Sequence, residues 1–555
     1  MANPVELAPD YYLSNFHALM DFVVGRYDSL LSDQERHFYR QFRGLTTDSQ
    51  RLYVRLLSRK GVPSSAGALF RLHKLAYEEI GDLRAAADVL INTELLLRSP
   101  PLPLEELLPL YTKSELLALS PKPLPKTLKR PALEQALLEL DTSELLPRLT
   151  DGDSVVALQA AQHFETFKLL FFGNLNQDLT DYVLRDLGLL RYEQYPLERQ
   201  HLPFQTRAQL EQHLRYYECV REAESVLGGD GGEIVALAGR LPAGLDGDNT
   251  LQRRLDRLRL TLARQLERLE ALDQADALYR QCTRPPARER RARIAVTRGD
   301  IAQGLALCRE ILADPHHEQE REFAERFGFR AAKKVGAQEG WVAPSRPIPP
   351  TETVTLPAAP QRVETLAAAY LTECAPGNQC FYVENTLING MLGLYVWDIL
   401  FAPLPGAFFN PFQIAPSDFR SADFYPQRRA AFEQRLAALS DETLKQTVWR
   451  HYRDKWGIAN PLIVWESLPE ALLTLALERI PVRHWQLLFR RLLRDITQHC
   501  SGLPDLILFP AAGGFELVEV KGPGDRLQQN QQRWLAFFAQ HQIPHRVLHV
   551  AWAPQ

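Results

Sequence analysis

The stretch SGLPDLILFPAAGGFELVEVKGPGDRLQQNQQRWLAFFAQHQIPHRVLHVAW, residues 501–552, decides how the chain is read. It divides into a strand (Leu506 to Phe509), a turn ending at Gly513-Gly514, a second strand (Phe515 to Lys521), a helix, and a third strand (Arg546 to Trp552). Side chains alternate along a strand with period two. Glu519 and Lys521 therefore share one face, and Val518 and Val520 point into the opposite, buried face. Asp505 opens the neighbouring strand, and a short hairpin brings it beside Glu519, with two carboxylates and an ammonium at one strand end. Asp525 and Gln528 are expected to cap the helix.

These three groups have a use together. Hard divalent cations take oxygen ligands, commonly one or two carboxylates plus water and substrate phosphate, so Asp505 and Glu519 form a clamp for Mg²⁺ or Mn²⁺, with two ions expected. A lysine ordinarily stays protonated at neutral pH, so Lys521 is read as a charge stabiliser, not a simple general base. Pro-Asp followed by Asp/Glu-x-Lys arises by chance in roughly one chain in ten of this length. What singles this match out is its context: an apolar strand, a glycine turn, a second strand and a helix. The competing reading makes Glu519 and Lys521 the solvent face of an edge strand.

Working back from this core, APSRPIPPTETVTLPAAPQR (343–362) is proline-rich and reads as an extended linker. Before it, residues 151–342 read as helical throughout. Within them, ALDQADALYRQC (271–282) and ERRARIAVTRGDIAQGLALCREIL (289–312) are spaced like a degenerate tetratricopeptide-type helix pair. The cluster Arg284, Arg288, Arg290, Arg291 and Arg293 is either a backbone contact or a solvated helix face. In residues 100–150, Thr112 and Glu115 make a capping box. A basic turn (Lys122, Lys126, Lys129, Arg130) then joins two short helices, an arrangement that resembles a SAP DNA-binding module. Residues 1–99 read as a compact helical domain, in which Arg51, Arg55, Arg59, Lys60, Arg71 and Lys74 either touch phosphate or form a solvated face. The fold class reads as multidomain and mostly α, with a C-terminal α/β core at 363–555 that the family resemblance described below implies to be restriction-endonuclease-like.

Composition sets limits on this. At 555 residues the chain exceeds a single core, and with 45% hydrophobic and 24% charged residues it has a globular composition. The six cysteines contain no CxxC pair, so neither a disulfide framework nor a zinc finger is indicated. No uninterrupted apolar run is long enough to span a bilayer and no signal peptide is legible, so a reducing interior is expected. The net charge of −4 means that DNA contact must come from local patches.

The C-terminal residues resemble the PD-(D/E)xK nucleases and, within them, the VRR-NUC branch, whose helix after the lysine carries a conspicuous glutamine. Here that run is Asp525-Arg526-Leu527-Gln528-Gln529-Asn530-Gln531, from which Arg526 and Gln531 are taken as DNA contacts. The resemblance implies a further acid from the first core helix, and Glu384 begins YVENTLINGMLGLYVWDILF (382–401); the alternative for Glu384 is an acid favoured by a helix dipole.

Taken whole, with LYVRLLSRKG (52–61), FFNPFQIAPSDFRSADFYPQRRAAFEQRL (408–436), HCSGLPDLILF (499–509) and VEVKGPGDRL (518–527), the chain is similar to the Fanconi-associated nuclease 1 family in a bacterial form. That resemblance implies metal ligation by Glu384, Asp505, Glu519 and the Val520 carbonyl, with Lys521 as catalytic lysine. It also implies 5′-flap endonuclease and 5′-to-3′ exonuclease activity on branched DNA, in interstrand crosslink repair. Two departures stand out. No cysteine precedes Cys219, so the ubiquitin-binding zinc finger of animal members is not expected. The eukaryotic branch's basic residues for a 5′-terminal phosphate correspond here to Gln498, Ser501 and Asn530, none of them charged. Two other functions remain open on sequence: a Holliday-junction resolvase, which needs paired sites, and a non-catalytic helical scaffold with a degenerate nuclease fold.

Overall fold

The computed structural model describes residues 9–140, 142–150, 155–177, 190–343 and 347–554. The chain forms two compact units, residues 1–190 with 198–210, and residues 191–197 with 211–555.

In the first unit, helices Tyr11–Tyr27, Asp33–Arg43, Thr47–Ser58 and Leu83–Asn92 accompany a three-stranded antiparallel sheet. Its strands are β1 (Leu69–Arg71), β2 (Leu96–Arg98) and β3 (Val155–Leu158), in the order β1-β3-β2. The wholly helical reading of residues 1–99 is therefore corrected. β1 and β2 are three residues each, too short for alternation to register, and their partner β3 lies far along the chain. The boundary placed at 150/151 is corrected by the same pairing, because β3 belongs to this unit. Residues 100–150 are an excursion between β2 and β3. Helices Lys113–Leu119 and Arg130–Leu138 lie within it, and the Thr112/Glu115 capping box forms as expected. Its leucines share a core with Leu69, Val155 and Ala157.

In the second unit, consecutive helices Asn249–Arg268, Leu272–Tyr279, Ala287–Thr297, Ile301–Ala313 and Glu318–Lys334 pack on one another. A side chain at Gly328 would collide with Trp341, since a Cβ there would lie 2.0 Å from the indole. The arginine cluster is neither a bare patch nor a solvated face. Arg284 pairs with Asp423 (3.2 Å), Arg288 with the fully buried Glu320 (2.7 Å), Arg290 with Glu267, and Arg291 with Asp276 (3.2 Å), while Arg293 covers the Phe323 ring. These cations cross-link helices.

The remaining residues of this unit build a five-stranded mixed sheet in the order β4-β8-β7-β6-β5. The strands are β4 (Thr351–Leu356), β5 (Gln379–Tyr382), β6 (Leu506–Phe509), β7 (Glu516–Lys521) and β8 (His545–Trp552). β4 arises inside the stretch read as a linker, whose residues 344–346 lie outside the described ones. Thr-Glu-Thr-Val-Thr-Leu alternates, Val354 and Leu356 are buried, and the strand runs parallel to β8. The alternation on β7 is as expected. Val518 and Val520 join Leu506, Leu508, Val354 and Leu356 under helix Val363–Glu373, whereas Leu517, Ile507, Phe509 and Val547 face a larger core. That core includes helices Leu387–Tyr395, Val482–Arg494 and Gln529–Gln540.

Candidate active site

β7 lies between β6 and β8, so Glu519 and Lys521 are not on an edge. Glu519 is 1% exposed, Asp505 7% and Lys521 8%. Asp505 leads into β6 and is fixed twice by backbone. Its Oδ2 accepts a hydrogen bond from Val520 N at 2.8 Å, and its carbonyl accepts one from Val383 N at 2.7 Å. The first bond spans β6 to β7 and the second spans β6 to β5. In a strand the N–H and C=O of one residue point to the same side. The Val520 carbonyl thus faces the Asp505 side, where the family resemblance requires it.

Glu384 is at this strand end, but not on a helix. It occupies the turn after β5, and the helix expected from residue 382 begins at Leu387, which corrects both its element and the dipole alternative. Tyr382 is extended because it pairs with Leu506 across the sheet. The turn is stitched to the segment carrying Asp505: Leu503 N donates to Asn385 Oδ1 (3.1 Å), and Asn389 Nδ2 donates to the Cys500 carbonyl (2.9 Å). Gly502, at φ +81°, closes the same approach, since a Cβ there would sit 2.7 Å from Asn530 Cγ. Sequence reasoning missed Asn385, Asn389 and Gly502. It also missed Glu364, in the first turn of helix Val363–Glu373, whose charge bears on Asp505. A left-handed Asn385 in Glu-Asn-Thr was the available signal.

Electrostatically the centre carries excess negative charge. Burial pushes the Asp505 carboxyl up to about 6; Val520 N–H and Lys521 oppose this, and Glu384 and Glu364 add to it. Burial and then the Asp505 charge push Glu519 up to about 8, against the pull of Lys521. Lys521 Nζ lies 2.8 Å from Glu519 Oε1, an ion pair between two almost fully buried groups. Among the described residues no three acidic, histidine or cysteine side chains converge on a ready-made metal position. Two buried acids whose negative charges oppose one another nevertheless suit a hard cation, and the Val520 carbonyl offers a further oxygen on the same side.

The following helix begins at Gln529. Gln528 and Gln531 form its capping box, which corrects the Asp525/Gln528 expectation; Asp525 instead accepts from Gly522 N (3.0 Å) and closes the turn after Lys521. The Gln531 side-chain oxygen is thus engaged in the cap, while Arg526 is exposed. Helix Glu318–Lys334 braces the segments on either side of the centre. Glu318 meets Arg491 (2.7 Å) and His499 (3.4 Å), and Glu322 meets Gln529 (2.6 Å). Asn530 and Ser501 hydrogen-bond each other (3.3 Å), and Gln498 pairs with Gln319. Beside Gln498 opens a cavity of about 480 Å³ lined by Arg284, His316, Arg420 and Arg494; Arg420 and Arg494 are exposed, with no bonded partner among the described residues.

Of the basic residues in the first unit, Arg51 is taken up by Asp10 and Asp48, Arg55 by Glu79, and Arg71 by Glu115. Arg59 and Lys60 are exposed, with no ion-pair partner among the described residues, on a cleft of about 340 Å³. Lys122, Lys126 and Lys129 are exposed. Arg130 is not available in the way they are: its guanidinium donates to Glu134 and to the Tyr111 and Leu108 carbonyls, tying the module together.

The VRR-NUC domain family model matches residues 439–552, and the FAN1 HTH domain model matches residues 10–97. A Fanconi-associated nuclease 1 homolog of Pseudomonas aeruginosa is 38% identical over 99% of this chain and 97% of its own length. The Arabidopsis thaliana homolog is 25% identical, and the chain spans 65% of it. A crystal structure of paFAN1 bound to DNA with a 2-nucleotide 5′ flap and a gap matches with a TM-score of 0.84 and 36% identity over the whole of both chains.

Proposed function

The chain belongs to the Fanconi-associated nuclease 1 family, and from that premise we propose that it is a divalent-metal-dependent, structure-specific nuclease that cuts 5′-flapped DNA. We assign it 5′-to-3′ exonuclease activity as well, and a place in interstrand crosslink repair. The observation that carries the reading is the buried trio of Asp505, Glu519 and Lys521, around which the fold accepts two mutually repelling carboxylates. Asp505, Glu519 and the Val520 carbonyl are the ligands for Mg²⁺ or Mn²⁺, with Glu384 at the outer side. The bound ion supplies Lewis-acid polarisation of the phosphate and a more acidic water.

The chain's own groups do the rest. Asp505, anchored by Val520 N–H, and Glu519, anchored by its strand, keep their carboxylates in place without reorganisation. Lys521 holds a positive charge at the same strand end, where negative charge grows on the transferring phosphoryl oxygens. The sheet and the bracing helix Glu318–Lys334 keep the centre dry and fixed.

Duplex DNA is held through Lys122, Lys126 and Lys129 of the SAP-like excursion and through Arg59 and Lys60 on the neighbouring cleft, and in the second unit through Arg526, five residues after Lys521. Arg420 and Arg494 stand in for the charges absent at Gln498, Ser501 and Asn530, and grip the 5′-terminal phosphate. The helices from Asn249 to Lys334 act as a tetratricopeptide-like cradle. The test is cleavage of a 5′-flap substrate with Mg²⁺ or Mn²⁺. The wild type cuts, and Asp505→Ala and Lys521→Ala still bind but do not cut. Equal cutting by the variants refutes the assignment, and paired symmetric nicks on four-way junctions with flaps ignored would point to a resolvase.

A further inference from the structure

Tyr382 closes β5 one residue beyond Phe381 and two before Glu384. Its register partner is Leu506, the residue after Asp505, so strand pairing alone brings it to the candidate metal edge. Phe381 packs edge-on against Phe509 on one side of the sheet, and alternation sends Tyr382 to the other, where helix Val363–Glu373 lies. Tyr382 is one of the more exposed large apolar-bodied side chains in the protein, at 47%. Its hydroxyl nevertheless donates to Glu384 Oε2 in a short hydrogen bond.

The neighbourhood explains why that bond matters. The charges that bear on the phenol are those of Glu384, Asp505 and Glu364, all acidic. A phenol proton is a donor that this acidic cluster can use without adding a full charge. Glu384 sits half-buried in a turn, and its other oxygen has only a long contact from Asn385 Nδ2, at 3.4 Å. A free glutamate side chain loses rotamer freedom when it is ordered. Here the Tyr382 hydroxyl does most of that ordering before any cation arrives.

Building on the metal-dependent reading, we infer that Tyr382 is a positioning residue: its hydroxyl sets the Glu384 carboxylate for the ion held by Asp505, Glu519 and the Val520 carbonyl. Hydrogen bonds to a ligating carboxylate fix its orientation, and their loss typically weakens metal binding by about 10–100-fold. Tyr382→Phe removes only the hydroxyl and keeps the ring.

The experiment is calorimetric titration with Mn²⁺ of the full chain in four forms: wild type, Tyr382→Phe, Glu384→Gln and the double variant, with Glu519→Gln as the control for the site. Tyr382→Phe should weaken Mn²⁺ binding by roughly tenfold in the wild-type background and cause no further loss in the Glu384→Gln background. Its flap cleavage should recover at saturating Mn²⁺. The same loss in both backgrounds, no loss in either, or a cleavage defect that saturating Mn²⁺ does not repair overturns the role of Tyr382 while leaving the metal centre intact. A wild-type titration with no site sensitive to Glu519→Gln overturns the metal-dependent reading, and this inference with it.

Discussion

Replacing Glu519 by glutamine should make the metal-free protein more stable while destroying its activity. Glu519 is 1% exposed, and its carboxyl is pushed up from the ordinary 4.5 to about 8 by burial and by Asp505. An acid with a higher pKa folded than unfolded binds its proton more tightly in the folded state. It therefore favours folding fully below the unfolded value and loses that contribution as pH rises toward the folded one. At pH 7 the metal-free fold holds Glu519 largely protonated whereas the unfolded chain ionises it, and integrating from 4.5 to pH 7 at about 1.4 kcal/mol per pH unit puts the cost of that proton uptake on the order of 3 kcal/mol. The uncharged, isosteric amide stands in for the protonated acid and removes most of that cost. Lys521 stays compensated because it also acts on Asp505. For a unit of this size the gain corresponds to a rise in Tm of roughly 5 °C. Thermal melts in EDTA followed by tryptophan fluorescence, at pH 7 and again near pH 5, measure it. The variant should lead clearly at pH 7, and the gap should narrow toward pH 5. A variant less stable than wild type, or a gap that ignores pH, would show that no electrostatic strain is stored at the centre.

Arg59→Ala combined with Lys60→Ala should lower the slope of log affinity for duplex DNA against log salt by about two, read by fluorescence anisotropy from 50 to 200 mM salt; an unchanged slope removes this cleft from the DNA path. Arg420→Ala with Arg494→Ala should erase the difference in cleavage rate between flaps with and without a 5′-terminal phosphate. A preference that survives assigns the phosphate grip elsewhere. Arg288→Ala strands the fully buried Glu320 and should cost about 3–5 kcal/mol in urea unfolding, whereas a surface-like change below ~1 kcal/mol would mean that water replaces the arginine.

The meeting of Asp505, Glu519 and Lys521 at one strand end was legible in sequence because its geometry is local. Period-two alternation fixes which side of β7 carries Glu519 and Lys521, and a short connection returns the chain to Asp505. What escaped is non-local or brief. β4 was masked by surrounding prolines, although Val354 and Leu356 already alternated with threonine. β1 and β2 offer three residues each to a partner that follows the whole excursion between β2 and β3. The arginines between 284 and 293 looked like a surface patch because their acids lie elsewhere in the chain; Asp423 is the extreme case. A run of like charge in sequence says nothing about the carboxylates that folding brings to it. Glu384, which the family resemblance singles out, lies in a turn and not on the expected helix, since an apolar helix three residues away lent its pattern to the turn before it.

Where a cation binds decides whether Asp505, Glu519 and the Val520 carbonyl form the metal centre. Crystals of the full chain soaked in Mn²⁺ and measured at an energy giving Mn anomalous scattering should show a peak about 2.1–2.3 Å from carboxylate oxygens of both Asp505 and Glu519 and from the Val520 carbonyl, and Glu519→Gln should remove it. No peak at that strand end, or one that persists in Glu519→Gln, contradicts the assignment of these residues as the metal centre.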